Sequence, residues 1–171
     1  MILSRLIEQV HGAKKPSRRL DAWIETEIRR FEAYKAGLND ETRAMWAPIG
    51  STGEVSDTST RYHAPLYTFD LSVSVQTIYR VLPGWGWRAA SCCVSDDAWV
   101  FPDFNDPVHG EKLKRLIPTT LHRDPIEALG TDVDRQPSGH PALALMESIL
   151  IGMSWQTEFE FPQFSKPCTR A

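Results

Sequence analysis

Apolar residues recur at helical steps near both ends of the chain and alternate like a strand in its middle. Leu20, Trp23, Ile24, Ile28 and Phe31 recur at steps of three and four, so "LDAWIETEIRRFEAYKAG" reads as an amphipathic helix with one buried stripe. Gly37 is placed to end it, because glycine accepts the left-handed conformation that closes a helix. Leu3, Leu6, Ile7 and Val10 predict a shorter helix before it. In "NDETRAMW", Asn39 and Asp40 are good N-cap residues and Pro48 stops whatever turn they start.

Residues 50–61, "GSTGEVSDTSTR", hold one apolar residue among Ser, Thr, Gly and charges. Such a stretch buries too little surface to order itself, and it predicts a long mobile loop between an N-terminal helical arm and the main core. "TFDLSVSVQTIYRVLPG" supports two periods: Leu71, Val75, Ile78 and Leu82 fit a helix, while Leu71, Val73, Val75, Thr77 and Tyr79 alternate. Thr68 as N-cap and Pro83-Gly84 as stop favour the helix. "WGWRAASCCV" and "AWVF" flank "SDD", which predicts a β-hairpin with tryptophans packing across the strands. Trp85, Trp87, Ala89, Ser91 and Cys93 then share one face and Cys92 points to the other, so the two cysteines cannot jointly hold a metal from a regular strand. Burial is the expectation for both.

From 102 to 141 the chain is polar and proline-rich. "PALALMESILIGM" then returns to a strongly apolar helix through Leu143, Leu145, Met146, Ile149, Leu150 and Met153, expected to pack on the sheet. "EFEFPQF" predicts an edge strand with Phe159 and Phe161 on one face and Pro162 ending it. The domain division is therefore an arm over 1–49, a polar loop over 50–61, an α/β sandwich over 62–162 with a polar insert at 103–140, and a tail at 163–171. The fold class is α+β, a short antiparallel sheet with a Trp-rich hairpin covered by helices.

Composition adds bounds. A chain of 171 residues, 42% hydrophobic and 24% charged, suits one soluble domain, and no stretch reaches the roughly 20 apolar residues of a membrane span. The N-terminal segment lacks the order of a signal peptide, which predicts a cytoplasmic protein with no membrane partner. A net charge of −3 argues against nucleic acid as a charge-driven partner. "KKPSRR" (Lys14, Lys15, Arg18, Arg19) reads as a solvated helix entrance. Three cysteines, Cys92, Cys93 and Cys168, without metal-pair spacing suit free thiols in a reducing compartment.

Candidate chemistry concentrates in 103–140, which holds Asp103, Asp106, His109, His122, Asp124, Asp132, Asp134 and His140. These residue types can supply oxygen and imidazole ligands to a divalent metal, or a carboxylate and histidine for acid/base work. Their spacing matches no helix-borne zinc motif, nucleophile elbow or phosphate loop. Helix capping explains more of them at once. Asp106-Pro107 and Asp124-Pro125-Ile126-Glu127 each place an N-cap before a proline at the first helical position, His140-Pro141 starts the last helix similarly, and Gly130 ends a short helix at 125–129. Asp103 and His109 are left without a structural role.

"YTFDLSVSVQTIYRVLPGWGW", "DAWVFPDFNDPVHGEKL" and "HPALALMESIL" together resemble the phage ABA-sandwich domain family of phage and prophage proteins. The matching positions are Tyr67, Thr68, Leu82, Pro83, Gly84, Trp85 and Pro141 through Leu145, within residues 62–153. The family's usual small residues after Tyr-Thr are replaced here by Phe69, Val73 and Val75. The resemblance implies a small α/β sandwich and a mobile-element origin, and it transfers no catalytic residue and no cofactor. It leads to the expectation of a non-enzymatic phage accessory protein in the bacterial cytoplasm. Such a protein would bind a host or phage protein, with inhibition of a host defence system as one such role. Trp46, Tyr62 and Tyr67 are the candidate partner-binding aromatics. Two alternatives stand beside it. A nucleotide-like ligand would be held by Arg88, Arg115, Arg123 and Arg135 with Asp103 and His109, and a metal-dependent hydrolase would use the Asp/His set. Homo-oligomerisation is compatible with all three.

Overall fold

The computed structural model describes residues 3–39, 45–136 and 139–160. The chain runs α1 (Leu3–Gly12), α2 (Arg18–Lys35), β1 (Ala47–Ile49), β2 (Glu54–Ser56), β3 (Arg61–His63) and α3 (Leu71–Val81). It continues through β4 (Trp85–Ser91), β5 (Asp96–Pro102), α4 (Gly110–Leu116), a short 3₁₀ turn (Thr119–Leu121), α5 (Pro125–Leu129), β6 (Val133–Arg135) and α6 (Pro141–Glu160). Two antiparallel three-stranded sheets, ordered β1-β2-β3 and β4-β5-β6, with six α-helices make this an α+β fold.

Helix α6 organises the core. Its sequence is apolar on nearly every side, the pattern of a helix enclosed by other elements, and Leu143, Leu145, Met146, Ile149, Leu150 and Met153 are fully buried. One side lies on the β4-β5-β6 sheet and the others receive α1 and α3. Gly152 permits the close approach: a Cβ there would meet Leu82 Cδ1 at 2.9 Å and Val100 Cγ2 at 3.1 Å. The helical arm, α1 and α2, sends Leu6, Val10, Ile24, Ile28 and Phe31 into this same core. The helix runs to Glu160, into the start of the segment expected to form an edge strand. Trp155 and Phe159, four apart, stack at 5.7 Å, and Trp155 Nε1 donates to Leu129 O, so the aromatic pair is satisfied at helical spacing. Phe161, Pro162, the tail and Cys168 lie outside the described residues, as does the Asp40 cap.

Residues 50–61 carry β2 and its flanking turns, where a mobile loop was expected. Val55, the lone apolar residue, is buried with Ala22 and Ala64 in a small second core. The polar residues close the turn themselves: Asp57 Oδ1 accepts Ser59 N at 2.8 Å and Thr60 N at 2.6 Å. Covering by this sheet changes α2 from a helix with one buried stripe to one buried on two faces, with Asp21, Glu25, Thr26 and Glu27 enclosed. Their polar atoms have partners, as enclosure requires. Arg18, expected at a solvated entrance, donates to Asp21 Oδ2 at 2.6 Å and to the carbonyls of Ala64 and Pro65. Asp21 Oδ1 accepts the Thr68 amide and hydroxyl, both at 2.8 Å. Thr68 is thus engaged on α2, and Asp70 caps α3 through Ser72 N. Burial nonetheless pushes the Asp21 carboxyl up, outweighing the Thr68 bonds and Arg18, so its ionisation draws on folding free energy as pH rises past its ordinary value of 3.8.

Glu25 is the hub of this second layer. Tyr62 and Tyr67 donate their phenols to its two oxygens, Arg29 Nε donates at 2.8 Å and Arg80 Nη1 at 3.3 Å. Arg80 in turn grips Glu32 with two bonds of 2.5 and 2.7 Å. Burial, then the Glu25 hydrogen bond and charge, push the Tyr62 phenol up to about 12, and the same causes raise Tyr67. A raised folded-state value means that both phenols help fully below pH 10, where the unfolded chain also keeps its protons, and that the help is lost as pH rises above it, for Tyr62 on the way to about 12. Tyr62→Phe is therefore expected to flatten the alkaline decline of stability between pH 10 and about 12, measured as urea midpoints across that range. An unchanged slope would remove Tyr62 from the linkage.

Candidate functional site

The expected β4–β5 hairpin forms, paired from Trp85↔Pro102 to Ser91↔Asp96, but its turn falls at residues 92–95 and the Asp96-Asp97 expected in the turn opens β5. Trp85, Trp87 and Ala89 share the face of Ala98 and Val100 that packs on α6. Alternation puts Arg88, Asp97, Trp99 and Phe101 on the opposite face. Phe101 lies over Gly86, where any Cβ would come within 2.5 Å of the ring. Arg88, directly across from Trp99, stacks its guanidinium over the indole at 4.9 Å. On the far side of Trp99 stands α5, and between them runs a groove of about 530 Å³ lined by Trp99, Ile126, Asp124, Glu127, Gly130 and Asp132.

The local sequence explains this wall. Asp124 Oδ1 accepts Glu127 N at 3.2 Å, Pro125 occupies the first turn, and Gly130 closes the helix in the left-handed conformation, as the Asp-Pro spacing predicts. Capping uses one carboxylate oxygen of Asp124 and leaves Glu127 and Asp132 exposed to solvent. Two further acids lie on the outer face: Asp97 and Asp134 are directly opposed across β5 and β6. Opposed like charges are unfavourable in a sheet, and Asp97 Oδ1 is buried with no hydrogen-bond partner. The face is thus one tryptophan and five carboxylates, with Arg88 stacked on the ring. It suits a cation with an apolar stem.

The other sequence candidates are placed elsewhere. Asp103 Oδ1 accepts Asn105 N at 2.9 Å. Asp106 Oδ1 accepts Val108 N and His109 N, and Gly110 N reaches Asp106 O, so Asp106 caps the turn that leads into α4. These amides hold the Asp106 carboxyl below its ordinary value. His109 packs on Gly84, where a Cβ would meet its own Cβ at 2.4 Å. His122 bonds Ile117 O at 2.9 Å and tilts against Phe104. His140 N donates to Asp96 Oδ2 at 3.4 Å. Among the described residues no group of three or more His, Cys, Asp or Glu side chains is placed to hold a metal ion. Of the aromatics expected at a partner surface, Tyr67 is 1% exposed and belongs to the main core, whereas Tyr62 is half-buried against the second core and Trp46 meets Tyr62 edge-on at 6.0 Å with Arg29 over both rings. Glu25 accepts both tyrosine hydroxyls.

The four arginines sit on different elements. Arg88 is on β4, Arg115 on α4 and Arg123 in the turn before α5, whereas Arg135 is buried. Arg135 Nη1 donates to Glu147 Oε2 at 2.5 Å and to Val10 O at 2.8 Å, and Nη2 to Ala13 O. Glu147 also bonds His11 Nδ1 at 2.7 Å, and His11 and Arg135 border a second groove of about 660 Å³ with Lys14, Asp134 and Gln136. Cys92 and Cys93, expected to be buried, are exposed free thiols. Strand β4 ends at Ser91, so both lie in the turn, where strand alternation no longer applies. No helix among the described residues is long and apolar enough to cross a membrane. No known protein family, curated protein or solved structure matches this chain.

Proposed function

We propose that this is a non-enzymatic phage or prophage accessory protein of the bacterial cytoplasm, and that it binds a basic segment of a partner protein at the Trp99 groove. The phage setting rests on the sequence resemblance of residues 62–153. The mode of binding rests on one observation: Trp99 lines a groove together with Asp124, Glu127 and Asp132. An aromatic floor attracts a cation over its face and covers its aliphatic stem. A surrounding carboxylate rim steers basic partners and repels acidic ones. Arg88 over the same indole is an internal instance of the contact. A nucleotide-like ligand has less support, because neither groove is lined by Arg88, Arg115 or Arg123 and Arg135 is engaged by Glu147.

A dye-labelled arginine hexapeptide, followed by fluorescence anisotropy at low salt, tests the reading. Trp99→Ala is expected to weaken binding about thirty-fold, the roughly 2 kcal/mol of an interface anchor, with little change in fold because Trp99 faces outward. Neutralising the rim with Asp124→Asn, Glu127→Gln and Asp132→Asn should weaken binding and flatten its salt dependence. Equal affinity in parent and Trp99→Ala, or none in the parent, would sink the proposal.

A further inference from the structure

At the tip of the β4–β5 hairpin two adjacent thiols, Cys92 and Cys93, are exposed and unbridged. The turn closes through Cys92 N donating to Ser95 O at 2.9 Å, and Val94 N donates to Cys92 Sγ at 3.4 Å. The backbone amides of Ser95 and Val94 hold the Cys92 thiol below its ordinary value, against the opposing effects of burial and of the Asp97 charge. Among the described residues no donor is directed at Cys93 Sγ. The two cysteines therefore share exposure and neighbourhood but differ in the support given to a thiolate, and thiolate is the form that reacts.

We propose that the hairpin tip is a thiol–disulfide exchange site at which Cys92 is the attacking sulfur and low-molecular-weight disulfides are the substrate class. The Cys92 thiolate attacks one sulfur of the small disulfide along the S–S axis. A Cys92–sulfur bond forms as the original S–S bond breaks, and the departing thiolate leaves with the bonding pair and takes a proton from water. Cys92 is oxidised to a mixed disulfide and half of the small disulfide is reduced to thiol, so no further oxidant is needed. Closure onto Cys93 is disfavoured, because neighbouring Cα atoms are about 3.8 Å apart, short of the roughly 4.4–6.8 Å range of ordinary disulfides. The mixed disulfide should persist.

The test uses the full chain, freshly reduced, with oxidised glutathione as the probe, acid quenching and peptide mass mapping to separate the sites. The glutathione adduct is expected on Cys92 several-fold faster than on Cys93. Cys93→Ser should keep the Cys92 rate, and Cys92→Ser should leave only the slow reaction. In a parallel pH series with iodoacetamide, the midpoint for Cys92 should lie below the ordinary thiol value. Equal rates, faster reaction at Cys93, an unshifted Cys92 midpoint, or a Cys92–Cys93 disulfide as the main product would each overturn the proposal. Both positions are solvent-exposed, so serine at either is expected to leave the unfolding midpoint unchanged.

Discussion

Arg135→Met is expected to lower the free energy of unfolding by about 3–5 kcal/mol, the cost of breaking a buried ion pair from one side. Arg135 and Glu147 are each 6% exposed in their side chains, so the carboxylate left behind cannot recover its hydration. Its remaining partner is His11, whose side chain is 66% exposed. The carbonyl of Ala13 loses its side-chain donor at the same time. Methionine nearly preserves volume, which keeps cavity formation out of the comparison. The double variant Arg135→Met/Glu147→Leu should regain most of the loss, since apolar replacements for a complete buried pair are often neutral. Urea unfolding of the two singles and the double measures this. A single variant costing less than about 1 kcal/mol, the range of exposed pairs, would show that water reaches the pair.

The second large effect is expected at Glu25. Glu25→Ala should also cost about 3–5 kcal/mol, for a different reason: it leaves two phenols and part of the Arg80 guanidinium without their common acceptor. Arg80 keeps Glu32, so the loss falls mainly on Tyr67, which is buried. Glu25→Gln retains one carbonyl acceptor and should cost less. Tyr67→Phe combined with Glu25→Ala should cost less than the sum of the two singles, because groups in one network couple. Additivity within about 0.5 kcal/mol would mean that Tyr67 is held by packing alone.

What could be read from the chain and what could not divides along sequence distance. Asp124-Pro125 through Gly130 was legible to the residue because cap, proline and glycine act within one turn. The hairpin and the closing apolar helix were legible because their periods are local. Arg135 was read as a free ligand-binding cation, since its acceptors lie 12, 122 and 125 residues away and no local pattern announces them. Tyr62 and Tyr67 were read as surface anchors for the same reason: Glu25, their acceptor, is 37 and 42 residues away. Trp99 was assigned only to cross-strand packing, and the acids beside it were assigned to capping or an unspecific cluster. Their joint groove depends on how α5 docks beside β5, which is a tertiary fact. The alternation of residues 85–101 did carry one usable signal: it placed Trp99 opposite the buried Ala98 and Val100.

The seating of α1 against α6 has a consequence for how the chain folds as it is made. His11 meets Glu147 across 136 positions and Val10 meets Arg135 across 125. A nascent chain therefore presents the apolar face of α1 to solvent or to chaperones until nearly all of the described protein has been synthesised. Closing so long a loop must precede the contacts that reward it. Up to that point Leu6 and Val10 have none of their final partners in α6, and a chain arrested before residue 141 lacks the helix on which α1, α3, α5 and the β4-β5-β6 sheet pack.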